Sequence, residues 1–305
     1  MALPGRGPGV AVEVVPAVAG PRQVVTARVS TGRRITRVRS VVLDWGYTNV
    51  YRYHWAGRAD SPMIPVGDAA WLASDIGTGA TGERDAEEWV SVNRIDLTPS
   101  GDEFGGATAT FRVPSWAPAS SPELVRWACR VIVERDGRDI DGHGDFAVRV
   151  ARGDVNAPEP VAEPIMGDRE TVVEIDLVST VFASGELIRG QVRLLPTADL
   201  PDGDVGVCWR RCRESHPLTR TPSRGGGYDG PVLRLAKRVP LCAGKQVVLP
   251  FELPLPDDAA PSASAVHSTM TWFVQARLFY AGFSAHLTER VLRPIVVVNG
   301  PATPG

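Results

Sequence analysis

Lysine is nearly missing from this 305-residue chain: Lys237 and Lys245 are the only two, and arginine carries the basic charge instead. That is a coding bias, of the kind a GC-rich genome produces, before it is a functional signal. Cysteine is also scarce, with four in the whole chain. Four thiols in this length do not make a disulfide scaffold, and they imply reduced cysteines in a cytoplasmic protein. No run of about 18 apolar residues occurs, so no transmembrane segment is expected. The opening MALPGRGPGVAVEVVPAV has neither a long apolar core nor an export-type cleavage pattern, so no signal peptide is expected. The net charge of −2 supplies no field to hold nucleic acid or an anionic membrane. The hydrolase and phosphate-binding patterns G-x-S-x-G, H-E-x-x-H and G-x-x-x-x-G-K are missing, and Arg224-Gly-Gly-Gly227 lacks the lysine and the strand–helix setting. No catalytic residues and no cofactor are therefore expected.

What the chain does have is alternation. Period-2 apolar patterns recur at 23–29, 36–45, 91–97, 107–113, 125–134, 172–179, 188–195, 205–212, 232–239, 246–253, 270–280 and 291–298. Turn-forming residues separate them, and glycine (31) and proline (26) are abundant enough to supply the turns. Such segments read as antiparallel strands with one buried face. Helical periodicity is confined to 66-VGDAAWLASDIG-77, where an Asp near the start and a Gly at the end fit a short helix. The stretch 219-TRTPSRGGGYDG-230 reads as a hairpin tip, and 153–170, with three prolines and no period, reads as a stiff linker.

The two halves repeat one another. Phe111-Arg-Val-Pro114 matches Phe251-Glu-Leu-Pro254, Ser120 and Ser121 fall where Ser262 and Ser264 fall, and Val125-Arg-Trp127 matches Met270-Thr-Trp272. Val29 precedes Trp45 by 16 residues, and Val192 precedes Trp209 by 17. In each half a strand stops at proline, a small-residue segment follows, and an alternating strand carrying a tryptophan returns. Proline ends the hydrogen-bond ladder because its nitrogen has no proton. A strand that must leave one sheet and join the other needs this arrangement. The expected fold is all-β, two tandem immunoglobulin-like antiparallel β-sandwich domains. The expected boundaries are 1–155, with an insert near 55–90, a linker at 156–169, a second domain at 170–299 and a tail at 300–305.

Three stretches of the second half resemble the arrestin family. They are 173-VEIDLVSTVFASGELIRGQVRL-194, 244-GKQVVLPFELPLPDDAAPS-262 and 270-MTWFVQARL-278. The first half keeps Val113-Pro114, Pro118 and 127-WACRVIVE-134. The likeness is nearest to bacterial sporulation-control proteins of arrestin-like fold. It implies two arrestin-like sandwiches and a non-enzymatic adaptor or regulatory scaffold that binds protein partners through sheet faces and edges.

Several constellations are candidates for chemistry. Arg28, Arg33, Arg34, Arg37 and Arg39 form a basic cluster, read as lying across a hairpin, with Arg37 and Arg39 on one face opposite Val38. Such a cluster suits an acidic or phosphorylated partner segment. The acidic run 83-ERDAEE-88 is either its internal partner or a solvated loop. Cys208, Cys212, His216 and Cys242 are the best metal candidates, the basis of an alternative reading as a metal-dependent β-sandwich enzyme. On a strand Cys208 and Cys212 lie about 13 Å apart, too far for one zinc, so buried or edge thiols are expected instead. Asp141-Gly-His143-Gly-Asp145 reads as a turn, and Arg152-Gly153-Asp154 as a chance tripeptide. Trp45, Trp127, Trp209 and Trp272 are expected core anchors, while Trp55, Trp71, Trp89 and Trp116 are expected in or near loops, freer to serve an interface. A third reading is a self-assembling structural protein, a homo-oligomer joined through exposed sheet edges.

Overall fold

The computed structural model describes residues 9–56, 81–158, 162–168, 170–223, 226–281 and 288–299. The expected helix at 66–77, Trp71, the Trp55 side chain, Arg224 and the tail at 300–305 lie outside them. Among the described residues every regular element is a strand, apart from one 3-10 turn at Arg152–Asp154. The fold is all-β and mainly antiparallel.

The chain divides into two compact units. The first comprises Met1–Val150, Ser215–Arg224 and Ser264–Ser268; the second comprises Ala151–Glu214, Gly225–Ala263 and Thr269–Gly305. In the first unit the strands are β1 (Val10–Val15), β2 (Val18–Ala19), β3 (Val24–Thr36), β4 (Val38–Ala56), β5 (Thr81–Asp96), β6 (Glu103–Arg112), β7 (Val125–Arg135) and β8 (Ile140–Val148). They form a three-stranded sheet β1-β3-β6 and a five-stranded sheet β2-β8-β7-β4-β5. Trp45 of β4 stacks on Phe111 of β6 at 4.2 Å between centroids, so the two sheets face one another across a shared core. Trp127 and Phe146 extend that core, 5.8 Å apart.

The second unit holds β9 (Glu163–Met166), β10 (Thr171–Leu177), β11 (Val181–Ala183), β12 (Leu187–Pro196), β13 (Leu200–Ser215), β14 (Gly226–Asp229), β15 (Leu233–Leu241), β16 (Val247–Pro254), β17 (Ala263–Ser264), β18 (Ser268–Tyr280) and β19 (Thr288–Val298). One sheet is β10-β12-β16. The other runs β11-β19-β18-β13-β14, with β15 on β13, β17 on β18 and β9 on β19. The framework of the first unit recurs strand for strand. The three-stranded sheets join strands at matching places in the order, β1, β3 and β6 in one unit and β10, β12 and β16 in the other, and both larger sheets open with a short parallel strand. That strand is β2 on β8 in the first unit and β11 on β19 in the second.

The crossings recur too. β6 lies in the small sheet of the first unit and β7 in the large one; β16 and β18 are divided in the same way. In each crossing a tryptophan indole donates to a backbone carbonyl. Trp127 Nε1 reaches the Pro118 carbonyl at 2.9 Å, and Trp272 Nε1 reaches that of Ala260 at 2.9 Å. In each, a serine ties the crossing to the closing strand. Ser120 Oγ accepts from the Val148 amide at 2.8 Å, and Ser262 Oγ accepts from the Val297 amide at 3.0 Å. The serine amides donate back to the same two residues, at 2.8 and 2.7 Å.

All twelve alternating segments fall on strands, but several local expectations change. The pattern at 36–45 runs through a corner: β3 belongs to the small sheet and β4 to the large one, so the arginines at 28–39 do not span a hairpin. Arg37, with φ of 58°, makes the bend. The run 83–88 is part of β5, paired with β4 along its length, and is not a loop. The expected linker contains β9, hydrogen-bonded to β19. The expected hairpin tip includes β14, paired with β13. Asp141–Asp145 is also strand rather than turn. A Cβ on Gly142 would sit 2.7 Å from the Val10 carbonyl oxygen, and one on Gly144 would sit 2.3 Å from that of Val12. The two glycines let β8 approach β1 more closely than any side chain allows.

Candidate functional site: the basic corner and its neighbours

The corner between β3 and β4 presents Arg33, Arg34, Arg37 and Arg39, whereas Arg28 lies nine residues before the bend, on β3 opposite Glu13 of β1; all five are exposed, while Val38 is buried. Two backbone bonds pin the bend. The Val38 amide donates to the Asp102 carbonyl at 2.9 Å, and the Asp136 amide donates to the Arg37 carbonyl at 3.0 Å. Three of the arginines have acidic neighbours: Arg28 with Glu13 at 3.5 Å, Arg34 with Glu103 at 3.1 Å and Arg39 with Asp136 at 3.5 Å. These pairs are solvated, and each contributes little to stability. Arg33 and Arg37 make no ion pair with a described residue. The corner thus keeps two exposed guanidiniums that pair with no described carboxylate, beside Arg34 and Arg39, which have acidic neighbours.

The acidic run on β5 is not the partner of this corner. Arg52 of β4 takes Asp85 at 3.1 Å and Glu83 at 3.4 Å, and Arg126 of β7 takes Glu87 at 2.5 Å. Glu83 also accepts from the Ser223 hydroxyl at 2.6 Å, the main reason its carboxyl titrates below the usual range. Trp89 lies within β5, and the Arg130 guanidinium lies over its ring at 3.7 Å. Asp44, buried in β4, collects Ser91 Oγ at 2.6 Å, Trp89 Nε1 at 3.2 Å and Arg94 Nε at 3.4 Å. Sequence reasoning passed over Asp44, although a carboxylate inside the apolar run 41-VVLDW-45 was a visible sign that donors had to be nearby.

On β8, Asp141, His143 and Asp145 alternate outward and line an open groove of about 850 Å³ with Arg126, Arg130 and Ile132. The four cysteines are free. Cys129 and Cys208 are buried; burial pushes the Cys129 thiol up to about 12 and raises Cys208 as well. Cys212 and Cys242 are partly exposed. Cys208 and Cys212 lie on β13, Cys242 follows β15, and His216 clusters with the first unit. Among the described residues no three His, Cys, Asp or Glu side chains are grouped to hold a metal ion. Arg152, of the Arg-Gly-Asp tripeptide, pairs with Glu186. Trp45, Trp127, Trp209 and Trp272 are buried, at 7% exposure or less, whereas Trp116 is 61% exposed. No described helix is long and apolar enough to cross a membrane.

No protein-family model matches the chain, and no curated protein matches it in sequence.

Proposed function

We propose that this protein is a non-enzymatic, arrestin-like adaptor or regulatory scaffold of the cytoplasm, acting by protein–protein binding in a control process such as sporulation or stress response. The observation that carries this reading is the recurrence of one framework in both units. Each has a proline-stopped strand, a crossing tied down by a serine, and a return strand whose tryptophan caps the crossing carbonyl. A duplicated sandwich that spends its buried polar groups on its own crossings supports binding through outer faces. The basic corner is the face this reading uses. Arg33 and Arg37, which pair with no described carboxylate, suit the carboxylates or phosphates of an acidic partner segment.

The test compares the intact protein with a variant carrying Arg33→Glu, Arg34→Glu, Arg37→Glu and Arg39→Glu. Fluorescence anisotropy is measured on an array of acidic and phosphoserine peptides. Saturable binding that weakens about tenfold or more in the variant supports the reading. Equal binding by both proteins discards the corner and keeps a peptide-binding role elsewhere. No binding by either, together with concentration-dependent light scattering, moves the reading to self-assembly. β6 and β16, the outer strands of the two small sheets, present the edges for that.

A further inference from the structure

Arg293 lies in the middle of β19, between the buried Val291 and Ile295. Alternation along the strand puts its side chain on their face, toward the inside of the second unit's sandwich. It is 8% exposed, and no other arginine or lysine among the described residues is as enclosed. Its Nε is buried with no hydrogen-bond partner, and the guanidinium makes no ion pair with any described residue. A guanidinium carries five donors and does not lose its proton in a protein, so burying one without an acceptor is costly.

The side chain borders a cavity of about 480 Å³, walled by Ala162 and Pro164 beside β19 and by Val173 of β10. The other charged groups on the wall are already engaged. Arg193 pairs with Glu174 at 2.9 Å and with Asp176 at 2.7 Å. Glu289 is four residues away along the same strand, about 13 Å at the rise of a β-strand. Its carboxylate accepts from the Glu170 amide at 3.2 Å. Arg293 alone is left with its fork empty, facing a space of ligand size, roughly 300–1,000 Å³ being usual.

We infer that this cavity is a binding site for a small monocarboxylate with a short apolar body, its carboxylate gripped by Arg293. The guanidinium fork matches a carboxylate with two parallel hydrogen bonds. The wall already holds three carboxylates, Glu174, Asp176 and Glu289, against two guanidiniums, which disfavours a dianion such as phosphate. The alanine, proline and valine walls take the apolar body. The site belongs wholly to the second unit and makes no use of the basic corner.

The test titrates the full-length, ¹⁵N-labelled protein with hexanoate while following the arginine Nε–H resonances, with hexanol and inorganic phosphate in parallel. Arg293→Met assigns the Arg293 signal. The expected result is a saturable shift of that signal with hexanoate and none with hexanol. Affinity is expected to fall about tenfold or more in Arg293→Met. Ala162→Phe, which fills the cavity and leaves the guanidinium in place, should abolish binding, and it decides the matter if Arg293→Met does not fold. An Arg293 signal unmoved by hexanoate overturns the inference, as does undiminished binding by either variant. A response to phosphate in place of hexanoate overturns the assignment to a monocarboxylate.

Discussion

The indole Nε1 of Trp272 donates to the carbonyl oxygen of Ala260 at 2.9 Å, joining the return strand β18 to the segment that carried the chain between sheets. Trp272 is 2% exposed, so it fills core volume and satisfies a crossing carbonyl at once. Replacing it with alanine should destabilise the second unit by about 3–5 kcal/mol, the usual cost of truncating a large buried aromatic. Phenylalanine should keep much of the packing but orphan the carbonyl, for about 1–3 kcal/mol. Urea unfolding followed by tryptophan fluorescence checks both; an unchanged midpoint for Trp272→Ala would refute the core role.

Gly144 and Gly190 are close-approach positions. A Cβ would lie 2.3 Å from the Val12 oxygen at the first and 2.3 Å from the Asp176 oxygen at the second. Alanine at either site should lower stability by about 1–3 kcal/mol through forced backbone movement. Gly82→Ala, at a position with nothing within 4 Å, is the control and should leave the melting temperature nearly unchanged.

The thiols should separate by burial. Cys212 and Cys242 are partly exposed and should react with a thiol reagent in the native protein, whereas Cys129 and Cys208 are buried and should not. Burial holds the Cys129 thiol near 12, so it stays protonated across the neutral range. Two fast equivalents and two released only by denaturant is the expected count in a thiol-release assay. Four fast equivalents would contradict the placement of β7 and β13.

Tyr280 ties the two sheets of the second unit together, its hydroxyl donating to Thr171 Oγ1 at 2.9 Å. Burial, opposed by that hydrogen bond, raises its pKa from 10.0 to about 12. A folded-state value above the unfolded one means stability that is fully present below pH 10 and is lost as pH rises toward 12. Unfolding free energy measured across that interval should fall, and the fall should be shallower in Tyr280→Phe. An identical slope in both proteins would show that this phenol is not the group responsible.

The sequence by itself determined the alternating strands and the two sheet switches that follow a proline-stopped strand. Alternation is a local property of the side chains, and Pro114 and Pro254 remove ladder donors wherever they stand. The tryptophans at 127 and 272 were legible because a large aromatic on the buried phase of a strand has few places to go. Tertiary structure alone decided what lies opposite what. The alternation at 36–45 continues through Arg37 without saying that the chain changes sheet there, since a period of two carries no record of the partner strand. Gly142 and Gly144 carry a turn-like composition, yet they serve the approach of β1, more than a hundred residues earlier in the chain. The charges of β5 masked its alternation, because its acids answer Arg52 and Arg126 on neighbouring strands. Arg293 stood on the core phase of 291-VLRPIVVV-298 all along. That it has no acceptor among the described residues became visible only when the walls around it were assembled, because hydrogen-bond satisfaction depends on groups brought together by the fold.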